Sequence, residues 1–159
     1  MATGIDPFPL GLPYAMGDAI YAALRTAPAL QDARVLDNPV RRADIQEGER
    51  IVFFEDVGDQ PRGGDKDGNR TYSFNVCAIN RSEQARRGSH ADYRAAKRAV
   101  RAALSSLPKV PISSVLREGA VTYRLENIDV GGSLVLGTFS VDYRDPTPAS
   151  ERFTQSPTP

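Results

Sequence analysis

The chain has few of the residues that do chemistry: one cysteine, one histidine, two methionines and no tryptophan among 159 residues. A lone Cys77 excludes an intrachain disulfide framework and suits a reducing compartment or indifference to redox. With His90 the only histidine, a zinc site built from clustered Cys and His is excluded as well. No apolar run approaches the roughly 18 residues of a membrane span. Met1 to Leu10 lacks the basic and apolar regions of a signal peptide, so the reading is a soluble domain made inside the cell. Charge of one sign is not in excess either: 20 Lys and Arg face 20 Asp and Glu. That balance speaks against a surface built wholly for nucleic acid, though not against a local basic patch.

What is present is enough for one domain with its own core, and its charge is unevenly distributed. Residues 1–80 hold eight basic and twelve acidic groups, net −4; residues 111–159 hold four and six, net −2. Residues 81–110 hold eight basic and two acidic groups, net +6. Separated patches of opposite sign can orient a molecule against a charged partner or against its own copies.

Residues 1–16, with Pro7, Pro9, Pro13, Gly4 and Gly11, read as an extended N-terminal arm. From Asp18, read as an N-cap, Ile20, Ala23, Leu24 and Ala27 recur at helical spacing until Pro28. Arg34-Val35-Leu36 is a short strand. Arg50–Val57 and Thr71–Ile79 are longer ones, the second alternating Tyr72, Phe74 and Val76 against Ser73 and Asn75. The thirteen residues Gly58–Arg70 between them read as a projecting, flexible hairpin tip. A long amphipathic helix is predicted from Ser89, as N-cap, to Leu107. Tyr93, Ala96, Val100, Ala103, Leu104 and Leu107 form its apolar face, with Arg94, Arg98 and Arg101 opposite. Two further strands follow, Ala120–Ile128 with Val121, Tyr123 and Leu125 on one face, and Leu134–Tyr143, joined by a turn at Asp129–Gly132. The proline-rich residues 146–159 read as a flexible tail, leaving 17–145 as the domain. Strand runs separated by one amphipathic helix predict an α+β fold: a mostly antiparallel sheet of about four or five strands with two helices packed on one face.

A catalytic reading finds little support. His90 sits near a helix start in a solvated setting, and Cys77 lies within a strand, where a free thiol behaves as a small hydrophobe. The glycines of 58–68 match no phosphate-binding loop. Asp65-Lys66-Asp67-Gly68-Asn69 resembles a calcium loop only faintly: with Gly68 sixth, the first position is Gly63 and the twelfth Phe74, where a carboxylate is needed. No catalytic, cofactor or metal residues are assigned, and a carboxylate-only active site is the weakest alternative. The Arg86–Arg101 run allows three readings: an ordinary solvated face, a protein contact, or a nucleic-acid contact with Tyr93 stacking on bases.

The order of elements resembles the tail terminator (tail completion) proteins of long-tailed bacteriophages. The resemblance lies in the Asp18–Ala27 helix, Arg34-Val35-Leu36-Asp37-Asn38-Pro39, Arg50–Glu55 paired with Thr71–Val76, the His90–Val100 helix, and a closing hairpin ending Phe139-Ser140-Val141-Asp142-Tyr143. It covers about residues 15–145 as pattern and size, without a diagnostic motif. It implies a virion subunit at the neck, made in the bacterial host cytoplasm and assembled as a homo-oligomeric ring, expected to be a hexamer. Such a ring caps the head-proximal end of the tail tube, ends its polymerisation and meets the head–tail connector, with DNA passing only through the lumen. Another head–tail joining or minor tail protein, or a basic-helix nucleic-acid-binding domain, are the alternatives. Candidate contacts to a neighbouring subunit or partner are Arg62, Lys66, Arg70, Arg94, Arg98 and Arg101.

Overall fold

The computed structural model describes residues 8–39, 45–62, 68–107, 116–126 and 132–145. They form an α+β fold, two helices packed on one face of a five-stranded sheet. Helix α1 spans Leu12–Thr26 and places Leu12, Met16, Gly17, Ile20 and Leu24 on one buried stripe. It begins six residues before the Asp18 cap expected from the sequence, so residues 12–16 are not an extended arm. Pro13 stands in the first turn, where backbone N–H groups have no intrahelical acceptor, so its missing donor costs nothing there. Asp18 is an exposed position within the helix. A single 3-10 turn, Pro28–Leu30, follows and buries Leu30.

Strand β1 (Arg34–Asp37) runs parallel to β2 (Arg50–Pro61). Strands β2 and β3 (Asn69–Asn80) form an antiparallel hairpin in which Gly58 pairs with Ser73 and Pro61 with Arg70. Much of the expected 58–70 tip is therefore ladder, with a bulge at Val57 between Asp56 and Gly58. Gly and Asp there resembled loop residues, but an edge strand with a bulge accepts them, and it accepts Pro61 at its end. Residues 63–67, including Lys66 and the Asp65–Asp67 part of the calcium-like motif, lie outside the described residues, as do 1–7 and the 146–159 tail.

Helix α2 (Ala85–Ser106) starts four residues before the expected Ser89 cap. Ser89 read as an N-cap, yet tertiary packing explains it and the glycine before it. A Cβ on Gly88 would fall 2.1 Å from the Asn80 amide nitrogen, and the Ser89 hydroxyl is buried 2.8 Å from that of Ser133. Strand β4 (Arg117–Glu126) and β5 (Gly132–Arg144) complete the sheet in the order β1-β2-β3-β5-β4. Residues 129–131 of the expected 129–132 turn, the last two residues of the strand expected to reach Ile128, and the link 108–115 lie outside the described residues, while Gly132 already belongs to β5.

The core lies between helices and sheet. Phe74 is its centre, with ring centroids 5.6 Å from Phe54, 5.4 Å from Tyr72 and 5.5 Å from Phe139. Tyr93, Ala96, Val100, Ala103 and Leu104 of α2 pack over β3 and β5, while α1 lies toward β1 and β2. Gly137 allows the closest approach: a Cβ there would stand 1.8 Å from the Tyr93 hydroxyl oxygen. On the other face, Leu36, Phe53, buried Cys77 and Leu136 register across four strands, and buried Ile51 lies in the neighbouring row opposite Ile79.

This arrangement leaves β4 without a helix above it. Val121, Tyr123 and Leu125 register with Gly137, Val135 and Ser133, so they point to the helix side. Val121 packs against the core, but Tyr123 is 61% and Leu125 74% exposed. The expected apolar core face of this strand is therefore mostly a surface. Alternation reports which side a residue takes, and two helices are too few to cover all five strands.

Candidate contact surfaces

The six basic residues singled out from the sequence fall into separate groups. Arg94, Arg98 and Arg101 lie exposed along α2, as expected. Arg62 and Arg70 instead belong to ion pairs at the far end of the β2–β3 hairpin. Arg62 reaches Asp142 at 3.0 Å, and Arg70 Nε donates to Asp59 at 3.0 Å. Lys66 lies outside the described residues.

Asp142 is the centre of the first pair. Arg117 donates to both carboxylate oxygens, at 2.7 and 2.8 Å, and the Thr71 hydroxyl donates at 2.7 Å. Hydrogen bonding from Arg117 outweighs burial and holds the Asp142 carboxyl well below the usual carboxylate range. Asp59 likewise accepts from Tyr143 at 2.8 Å. Burial first, then the bond to Asp59, raises the Tyr143 phenol above its ordinary value. These bonds tie strands together and explain why Arg62 and Arg70 are not free cations. The signal for them, a buried acid on β5 opposite a threonine on β3, depends on a strand pairing invisible in the linear chain.

On α2 the exposed basic residues are aligned. Arg87, Arg94, Arg98 and Arg101 recur at helical spacing over a rise of about 21 Å. Arg86 and Arg87 stand in the first turn, which holds no acidic residue, so two positive charges face the positive end of the helix dipole. Arg94 and Arg98 make no ion pair among the described residues, whereas Lys97 is paired with Glu118 of β4. Burial would raise the Glu118 carboxyl, but bonds from Lys97 and Tyr93, with the nearby charge of Arg101, bring it below its ordinary value. Tyr93, the stacking group of the nucleic-acid alternative, is buried as its place on the apolar face implied, and it donates to Glu118 at 3.0 Å. The exposed aromatic pair is another: His90 stacks on Tyr123, ring centroids 4.9 Å apart and 9° from parallel.

The opposite margin is acidic. Asn38, at φ +41°, closes β1 by accepting the Asp56 backbone N–H at 2.7 Å. Its amide nitrogen donates to Asp37 at 2.8 Å and to Asp56 at 3.0 Å. Two carboxylates are thus held beside one amide, and neither forms a salt bridge among the described residues. Asp56 also accepts from the Tyr72 hydroxyl at 2.5 Å. Glu55 and Val57 stand exposed next to them, Val57 to 55%.

Among the described residues no group of three or more His, Cys, Asp and Glu is placed to hold a metal ion. A polar surface depression lies near the 45–50 turn, lined by residues that include Asp32, Arg34, Glu47 and Glu49; Arg34 and Glu49 pair with each other at 3.1 Å. No protein-family model matches the chain, and no curated protein matches it.

Proposed function

We propose that this chain is a structural subunit that acts by assembly, as the ring-forming terminator of a bacteriophage tail. The observation that carries the reading is the segregation of charge: an arginine-rich helix surface toward one margin of the sheet and paired carboxylates at the other. A closed ring joins unlike faces of successive copies, and unlike charges suit that heterologous contact. The α+β fold and the order of its elements agree with the resemblance noted in the sequence. In this reading the partners are further copies of the chain, the tail tube protein and the head–tail connector. A second reading, a nucleic-acid surface, draws on the exposed His90–Tyr123 stack flanked along α2 by Arg86 and Arg94.

The test uses phage lacking this gene, or purified tail tubes. Loss of the protein gives overlong or headless tails, and adding it back ends tube growth. Reversing Arg94, Arg98 and Arg101 to Glu lowers capping while the subunit stays folded. Normal tail length and head joining in the deletion reject the terminator assignment. Tight, salt-sensitive DNA binding that the triple alanine variant loses favours the second reading.

A further inference from the structure

We propose that the acidic margin of one copy, Asp37, Asp56 and Val57, docks on the α2–β4 surface of the next, against Arg94, Tyr123 and Leu125. The inference deepens the ring reading by naming its two faces, and it rests on that reading only for closure of the ring. Each face carries exposed apolar side chains beside unpaired charge, negative on one and positive on the other. Val57 is a bulge residue beside Asp56, and Tyr123 and Leu125 are uncovered beside the basic helix. Apolar side chains exposed on an uncovered strand mark a surface that gains by being covered.

Each face also carries charge that no ion pair offsets among the described residues. Asn38 brings Asp37 and Asp56 to the same amide nitrogen, with no cation bridging them among the described residues. At α2, arginines in the first turn oppose the helix dipole, and Arg94 continues the positive charge one turn beyond His90. Bringing these carboxylates to the helix sets unpaired charges of opposite sign against each other. Because the faces differ, the contact is head-to-tail and repeats from copy to copy. Pairing through one self-complementary face would instead bring like charges together.

Disulfide trapping between two single variants tests the arrangement. Val57→Cys and Leu125→Cys both alter exposed positions, and the native chain, with Cys77 buried, is the control. Mixed under oxidising conditions, with and without tail tubes, the two variants should give a mixed dimer, and neither alone should give one. The chain carrying both substitutions should give a ladder. Independently, Asp37→Arg or Arg94→Glu alone should weaken association about tenfold or more, and the two reversals combined should restore it. Dimers through 57–57 or 125–125 only, or no mixed dimer where copies associate, overturn the proposal. So does an oligonucleotide that occupies the patch, binds salt-sensitively and is lost with Tyr123→Ser, when no mixed dimer forms. Tubes capped without the mixed dimer reject this contact but leave the terminator reading intact. A mixed dimer with uncapped tubes rejects the terminator reading and leaves the contact standing.

Discussion

The two margins of the sheet are built differently. At the β1–β2 margin the edge is managed: β1 is four residues long, Asn38 closes it, Val57 bulges, and Pro61 ends the longer strand. Helix α1 lies over this side and adds its apolar stripe to the core. At the β4 margin a ten-residue edge strand carries Tyr123 and Leu125 in solvent, with only the rim of α2 beside it. The contrast separates residues that hold the fold from residues that the fold displays. Substitutions under the helices should unfold the subunit, and substitutions on uncovered β4 should spare it.

The largest expected effect tests the covered side. Phe74→Ala removes the ring that touches Phe54, Tyr72 and Phe139, and should lower stability by about 3–5 kcal/mol in urea unfolding. Next, Gly137→Ala puts a methyl group where the Tyr93 ring lies and should cost about 1–3 kcal/mol, with much of the loss recovered when Tyr93 is also shortened to Leu. If Gly137→Ala is neutral, α2 does not sit on β5 as described.

Removing a charge-assisted bond comes third. Asp142→Asn should destabilise by about 1–2 kcal/mol, because Arg117 and Arg62 are half exposed and regain water. The native carboxyl releases its proton more readily than the unfolded one, whose ordinary value is about 3.9. Its contribution is therefore complete above that value and is lost as pH falls toward the lower native one. Chemical denaturation between neutral pH and pH 3 should show native stability declining at the acid end, with a shallower decline in Asp142→Asn. A comparable slope in both chains would remove Asp142 from the account.

Asn38→Ala should cost about 1 kcal/mol, since the alanine cannot accept the Asp56 N–H and is less suited to positive φ; Asn38→Gly keeps the backbone but loses the same bonds. The smallest effect sharpens the comparison most. Tyr123→Ser and Leu125→Ser should change stability by less than about 0.5 kcal/mol, as expected of surface positions. Thermal unfolding checks this directly. A loss of several degrees would mean that β4 is part of the stabilising core.

Much of the fold was legible because it is local. Tyr93, Ala96, Val100, Ala103 and Leu104 repeat at the helical period, and Tyr72, Phe74 and Val76 at the strand period; all are buried as the pattern implied. Boundaries were less legible where one residue type serves two ends. Pro13 suits a helix's first turn as well as an extended arm, and Ser89 suits a buried bond to Ser133 as well as an N-cap. The contact surfaces were legible only in part. The exposure of Arg94, Arg98 and Arg101 followed from helical phase, while the pairing of Arg62 with Asp142 joins residues 80 positions apart.

By itself the sequence determined the α+β class, the apolar faces of its main elements and the uneven distribution of charge, because hydrophobic period and charge are properties of neighbouring residues. Tertiary structure decided which apolar face is covered. Val121, Tyr123 and Leu125 alternate as regularly as Tyr72, Phe74 and Val76, yet only the latter strand lies beneath the helices. It also decided which arginines are neutralised, since an ion pair depends on what the folded backbone brings within reach. Strand order and helix placement are sums of long-range contacts, and the same local pattern is core at the centre of this sheet and surface at its edge.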